Sequence, residues 1–192
     1  MIIGLAGKKQ VGKSTAADHL RRTHAYSMGS FAAPLKELCR RAYGLSRAQT
    51  DGSEDAKSSV VEKIQRHGPG IFGLPERESP WTARQVMQYV GTDLYRAENP
   101  DHWVDLAMDG VTGGDNITFP DVRFENEARA ILQRGGIVVG ITRDNGLVAD
   151  GHSSEALDLE VVSTFILSND GTEPEFLADL DHCLFGIPGE DL

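Results

Sequence analysis

Eight residues near the amino terminus have the types and spacing of a phosphate-binding loop. Gly7-Lys8-Lys9-Gln10-Val11-Gly12-Lys13-Ser14 satisfies G-x-x-x-x-G-K-[ST] at every defined position. Gly7 and Gly12 let the backbone take positive φ and curl until successive N–H groups point inward at phosphate oxygens. Lys8, Gln10 and Val11 supply the backbone between them. Lys13 offers a point charge to β- and γ-phosphates, and the Ser14 hydroxyl is a natural Mg²⁺ ligand. A helix beginning at Lys13 aims its positive end at the same anion.

A second group with chemistry lies at Asp121-Val122-Arg123-Phe124. It follows Asn116–Pro120, which reads as a strand. A carboxylate at the carboxyl end of a strand lies at the ligand edge of an open α/β sheet. There Asp121 can act on Mg²⁺ through water or accept a proton from an attacking phosphate, and Arg123 can reach the same space. Lys36, Arg84, Arg96 and Arg143 are further scattered cations. Phosphoryl transfer depends on positioning and charge stabilisation, and a phosphorylated second substrate needs guanidinium forks. This combination points to a small-molecule kinase. No N-K-x-D guanine reader occurs, Asn169-Asp170-Gly171 is not one, and the chain is short for an ATP motor.

The elements that must position these groups follow from pattern. Met1–Ala6 is an apolar run suited to a buried strand, and Ser14–Arg22 is helical. Ala25–Phe31 reads as a second strand. The helix after it has Pro34 in its first turn, Leu35, Leu38, Cys39 and Ala42 at helical spacing, and Gly44 at its end. Lys36, Arg40 and Arg41 give that helix a basic face, which is either solvated or, through Lys36, a phosphate contact. Residues 46–81 are irregular, with a short helix expected around Ala56–Arg66. Thr82–Arg96 reads as one helix with an apolar stripe of Val86, Tyr89, Val90 and Leu94. Arg84 and Gln88 share another of its faces, either solvated or suited to a phosphate and a base. Trp103, in a helix expected over Pro100–Met108, is a core residue or a stacking platform. Glu125–Arg134 is helical, Ile137–Thr142 a buried strand, Val161–Leu167 a final strand and Glu173–Cys183 a closing helix. Five strands alternating with helices predict an α/β doubly wound parallel sheet.

At 192 residues the chain reads as one domain with a real core. Its formal net charge of −10 argues against a nucleic-acid groove. Cys39 and Cys183 lie in apolar helical contexts and read as buried, reduced thiols in a reducing cytosol. The six histidines include no H-x-x-x-H pair suggestive of zinc. No signal peptide and no run of membrane-spanning length is read, so neither a membrane nor a nucleic acid is an expected partner.

The stretches GKKQVGKST, FAAPLKE, RQVMQYVGTDLYR with Trp103 following, DVRFENEA, ITRDNG with GHSSE, and SNDGT occur in that order. Together they resemble the deoxynucleoside monophosphate kinases of tailed bacteriophages, from Ile2 to about Leu180. The resemblance implies a P-loop NTPase fold of the nucleoside monophosphate kinase type, built on a five-stranded parallel sheet. It implies one domain over 1–192, with a helical NMP-binding region over 34–112 and a lid over 143–158. It also implies transfer of the ATP γ-phosphate to a dNMP with Mg²⁺. A cytoplasmic location (the host's, if phage-encoded) and a monomer or homodimer are expected, the sequence not distinguishing the two states. Carried over by position, Gly7, Lys8, Gln10, Val11, Gly12, Lys13, Ser14 and Thr15 form the ATP phosphate site. Ser14 and Asp121 serve the metal. Lys36, Arg84, Gln88, Arg96 and Trp103 serve the nucleotide acceptor, and Lys13, Asp121, Arg123 and Arg143 the reaction. The loop after Arg143 departs from many nucleotide-kinase lids in having no further Lys or Arg through Asp158. The rival readings are a kinase for another phosphorylated metabolite, of the dephospho-coenzyme A or phosphomevalonate type, and a non-catalytic ATP-binding protein.

Overall fold

Every residue of β1 (Ile2–Ala6) is buried, as expected of an apolar strand with sheet neighbours on both edges. The computed structural model describes residues 1–144 and 157–186. It divides into two compact units, one formed by Met1–Phe31 with Met108–Leu192 and the other by Ala32–Ala107.

The first unit holds a five-stranded, all-parallel sheet. The strands are β1, β2 (Ser27–Met28), β3 (Ile117–Val122), β4 (Ile137–Thr142) and β5 (Phe165–Ser168), in the spatial order β2-β3-β1-β4-β5. The strands added after β1 therefore lie first on one side of it (β2, β3) and then on the other (β4, β5), all running the same way. This is the switch point at which an open parallel sheet forms a crevice at its carboxyl edge. Alternate residues of β1 serve opposite faces. Ile3 and Leu5 join Val139, Ile141 and Leu167 in one cluster with α1 (Lys13–Thr23) and α10 (Glu173–Phe185), through Ala16, Ala17, Leu20, Phe176 and Leu180. On the other face the bare Cα of Gly4 leaves room for Ile131 of α8 (Glu125–Gln133). A doubly wound α/β sheet with helices on both faces is thus the fold observed.

Three strand expectations change. β2 is two residues long rather than spanning Ala25–Phe31. Ala25 has φ 56, so the chain is still turning there, and the short exposed strand forms the sheet edge. β3 continues past Pro120. Its register with β1 runs Gly4↔Phe119 and then Ala6↔Val122, which leaves an extra residue around Pro120–Asp121. Proline cannot donate to the ladder, and a bulge there accommodates it and re-aims its neighbour. The expected strand Val161–Leu167 divides into α9 (Leu159–Val162) and β5. The Asp158 side chain caps α9 by accepting from Glu160 N, and sheet pairing resumes where Thr164 N donates to Val138 O.

The second unit is helical: α2 (Ala33–Tyr43), α3 (Arg47–Asp51), α4 (Glu54–Ser58), α5 (Glu62–His67), a 3₁₀ turn (Pro69–Phe72), α6 (Ala83–Gln88) and a π-helical segment (Tyr89–Arg96). It also takes most of α7 (His102–Met108). Cys39, Tyr43, Ile64, Trp81, Val86 and Val90 are among its core residues. The helix expected around Ala56–Arg66 is two helices, α4 and α5, because Val60 leaves the helical path to pair antiparallel with Thr82. The stretch Thr82–Arg96 is helical, with Thr82 as N-cap in a capping box with Gln85. Its second half winds as a π-helix, which has more residues per turn. The added winding rotates the stripe, so Tyr95 packs on the core and Leu94 is 38% exposed. Burial pushes the Cys39 thiol up to about 12, so it is an inert packing group. Cys183, expected to be buried, is exposed on α10. Among the described residues no helix is long and apolar enough to cross a membrane.

Candidate active site

The phosphate loop leaves β1 at Gly7 and enters α1 at Gly12. Gly7 has φ 141 and Gly12 φ 109, the left-handed side that glycine adopts without steric cost. Neither has room for a Cβ: at Gly7 it would collide with the Ile141 carbonyl oxygen, at Gly12 with the Asn169 amide. Gln10 also has positive φ, 65. Val11 is buried and anchors the loop, whereas Lys8, Gln10 and Ser14 are exposed and Thr15 is partly so. The Lys13 Nζ donates to Gly7 O at 2.7 Å and also to Lys8 O. Its ammonium therefore lies against the loop's own carbonyls, beside the amino-terminal end of α1. Lysine charge and helix dipole share one locality, which is the electrostatic requirement for a polyphosphate.

Asn169 completes this loop, a role that no motif in the sequence marks. It is 6% exposed and follows β5. Its Nδ2 donates to Val11 O at 2.9 Å, a buried bond between residues 158 positions apart. The only sequence signal was its place in a strand-ending Ser-Asn-Asp-Gly, and that pattern does not say which carbonyl it will meet.

Asp121 lies in the bulged end of β3 and is partly buried. Its Oδ2 accepts from Ser30 Oγ at 2.6 Å and its Oδ1 from Phe31 N at 3.1 Å. The carboxylate thus holds the turn that follows β2. Ser30 is a second residue not singled out from sequence. Arg123 is exposed just beyond β3. Its backbone is fixed by Glu127, 2% exposed, whose Oε2 accepts from Arg123 N at 2.7 Å and from Phe124 N at 3.2 Å. A carboxylate three residues into α8 reaching back to donors before the helix is half of a capping box, so this glutamate was findable from DVRFENEA.

Arg143 is exposed immediately after β4. The next residue is tied down, because Asp144 N donates to Asp170 Oδ1 at 2.6 Å. Hydrogen bonds from the Ser168 hydroxyl and the Asp144 N–H, aided by the Arg143 charge, hold the Asp170 carboxyl below its usual value. Most of the lid expected over 143–158 lies outside the described residues. Asp121, Arg123 and Arg143 therefore belong to the carboxyl ends of β3 and β4 or to the loops leaving them, and Lys13 opens the helix that follows β1, all within the first unit.

The residues expected to hold an acceptor nucleotide belong to the second unit. Lys36 Nζ donates to Asp51 Oδ1 at 2.9 Å, and Arg40 pairs with Asp51 at 3.0 Å and with Glu37 at 2.8 Å. Burial works to raise the Asp51 carboxyl. Hydrogen bonds from Thr50 and Lys36 and the Arg40 charge outweigh it and leave the group below its ordinary value. Arg84 pairs with Glu54. Gln88 is exposed at the end of α6, and Arg96 is partly exposed at the end of the π-helical segment. Trp103 is 2% exposed and donates its indole N–H to Gly91 O at 2.9 Å. It packs against Tyr95 and His102, so its ring is a core group with no open face for a base.

A model of the deoxynucleotide monophosphate kinase family matches residues 54–180. A protein of Acanthamoeba polyphaga mimivirus, provisionally named a deoxynucleotide monophosphate kinase, is 30% identical over 205 residues, with 96% of each chain covered. The deoxynucleotide monophosphate kinase of Enterobacteria phage T4 is 24% identical over 237 residues, covering 95% of this chain and 98% of its own. A solved dephospho-CoA kinase from Campylobacter jejuni aligns over 97% of both chains with TM-score 0.48 and 16% identity. With the family match spanning more than half of its residues and the mimiviral similarity nearly all of them, this chain belongs to the deoxynucleotide monophosphate kinase family.

Proposed function

We propose that the protein transfers the γ-phosphate of ATP to a deoxynucleoside monophosphate, giving the diphosphate and ADP. The observation that carries this reading is the phosphate loop, with its lysine ammonium held against Gly7 O and Lys8 O, in a chain of this family. An acceptor phosphate oxygen attacks the γ-phosphorus, and the bond to the ADP β-oxygen breaks with its electron pair leaving on ADP. The residues Gly7 to Thr15 cradle the donor phosphates. Lys13, Arg123 and Arg143 balance the negative charge that spreads over the transferring group. Lys36, Arg84, Gln88 and Arg96 orient the acceptor. In this reading Lys36 and Arg84 exchange Asp51 and Glu54 for phosphate.

The exposed Ser14 hydroxyl at the first turn of α1 and the Asp121 carboxylate would hold a hard cation that prefers oxygen ligands. When bound, Mg²⁺ would supply neutralisation of the phosphate charge.

The test is ADP release from ATP and Mg²⁺ with a panel of the dNMPs, dephospho-coenzyme A and phosphomevalonate. The reading requires turnover with at least one dNMP, and formation of the matching dNDP. Release only with another metabolite would reassign the acceptor. Release with none would leave an ATP-binding protein.

A further inference from the structure

At the end of α1 away from the phosphate loop, three side chains bring metal-binding atoms together. His19 lies on α1, His24 is its C-cap and Asp181 lies on α10. His19 Nε2 is 3.0 and 2.9 Å from the two Asp181 oxygens, and His24 Nε2 is 2.9 Å from Oδ1. One ligand atom from each residue lies within 4.8 Å of the others. We propose that His19, His24 and Asp181 form a Zn²⁺ site that cross-links α1 to α10.

Two imidazoles and one carboxylate are an established donor set for zinc with its fourth position open. Zinc bonds of about 2.0–2.2 Å imply tetrahedral ligand–ligand edges of roughly 3.4 Å, so the imidazole–carboxylate edges need widen by only about 0.4 Å. Both histidines present the same atom, Nε2. The other nitrogen of His19 lies 3.4 Å from Thr23 Oγ1, which orients the ring from outside, as partners of metal-bound histidines do. The side chains of His19, His24 and Asp181 are 17%, 18% and 20% exposed, so the cluster is open to solvent on part of its surface. Phe185 packs on the His24 ring with centroids 4.2 Å apart and walls one side. The site lies near the carboxyl-terminal ends of both α1 and α10, whose partial negative charges favour a cation. The neighbouring Arg21 and Arg22 are turned to Asp18. His19 is six residues beyond Lys13, roughly 9 Å along the helix, so this site is separate from the phosphate loop.

The full chain, freed of metal by chelation, should bind one equivalent of Zn²⁺ in calorimetric titration. Zinc at a hundredfold excess over Kd should raise Tm by roughly 5–10 °C. Co²⁺ in its place should give the visible d–d absorption of a four-coordinate site. His24→Gln and Asp181→Asn should each weaken zinc binding at least tenfold. Cys183→Ser, which removes the exposed thiol two residues after Asp181 on α10, should leave it unchanged. Equal zinc affinity in the wild type and both site variants would overturn the proposal, as would loss of binding in Cys183→Ser alone. Should the variants not fold, the cobalt spectrum of the wild type decides. Its absence means that the cluster is a hydrogen-bonded clamp and not a metal site.

Discussion

The two units hold their candidate functional cations in different ways. In the first, Lys13 rests against carbonyls of a loop whose path is set by Gly7, Gly12 and the buried Asn169. In the second, Lys36 and Arg84 end in partly exposed ion pairs with Asp51 and Glu54. A site made from backbone geometry is present before its ligand arrives. A site made from surface ion pairs must exchange partners, and such pairs contribute only about 0–1 kcal/mol, so a phosphate displaces them at small cost. If the proposed function holds, the donor side is preorganised and Asp51 and Glu54 are acidic placeholders on the acceptor side.

The largest effect should come from Lys13→Ala. In the proposed reaction it removes a charge whose contact would strengthen as the phosphoryl group transfers, and kcat should fall about 10³-fold with little change in Tm. Near-normal kcat in a folded variant would remove the preorganised donor side from the comparison. Asp121→Asn should lower kcat about 10²-fold, more than it raises either KM. Ser30→Ala separates catalysis from the structural role of that carboxylate. If it reproduces the whole kinetic loss, Asp121 acts by holding the Ser30–Phe31 turn.

Asn169→Ala leaves the buried Val11 carbonyl without its amide donor. It should cost about 1–3 kcal/mol of stability and raise KM for ATP while sparing KM for dNMP. An unchanged denaturation midpoint and unchanged KM for ATP would show that the loop holds its shape without this bond. Arg84→Ala probes the other unit. Its side chain is 41% exposed, so the expected rise in dNMP KM is about tenfold, the low end for a hydrogen bond to a charged group. Glu54→Gln should move the same KM in the opposite direction if Glu54 is a placeholder. The smallest effect concerns pH. Asp51 has a folded pKa below its ordinary value of 3.8, so its stabilisation is present above that pH and is lost as pH falls through the folded pKa. With that carboxylate 48% exposed, solvent screening limits the contribution to ~0.5 kcal/mol. Comparing acid denaturation of the wild type with Asp51→Asn checks both sign and size.

Where structure depends on neighbours in the chain, it was legible in the sequence. Ile137–Thr142 forms the strand that its apolar run predicts, and Gly44, with φ 76, ends α2. The errors arose where a distant contact or a change of winding intervened. Leu94 was misplaced because the helical period lengthens after Gln88, and no residue type marks a π-helical turn. The basic face of α2 was recognised, but its pairing with Asp51 depends on where α3 returns. Cys183 has an apolar neighbourhood in sequence but sits on the outward side of α10.

By itself the sequence determined the phosphate loop, the parallel α/β fold and the family resemblance. An eight-residue motif with two required glycines encodes its own backbone path, and burial periodicity encodes strands and helices. Only the tertiary structure decided which side chains lock that loop. Asn169 reaches Val11 across 158 residues, and Asp181 reaches His19 across 162. Such pairings depend on strand order and helix rotation. Those are set by the packing of the whole sheet, which no local spacing records.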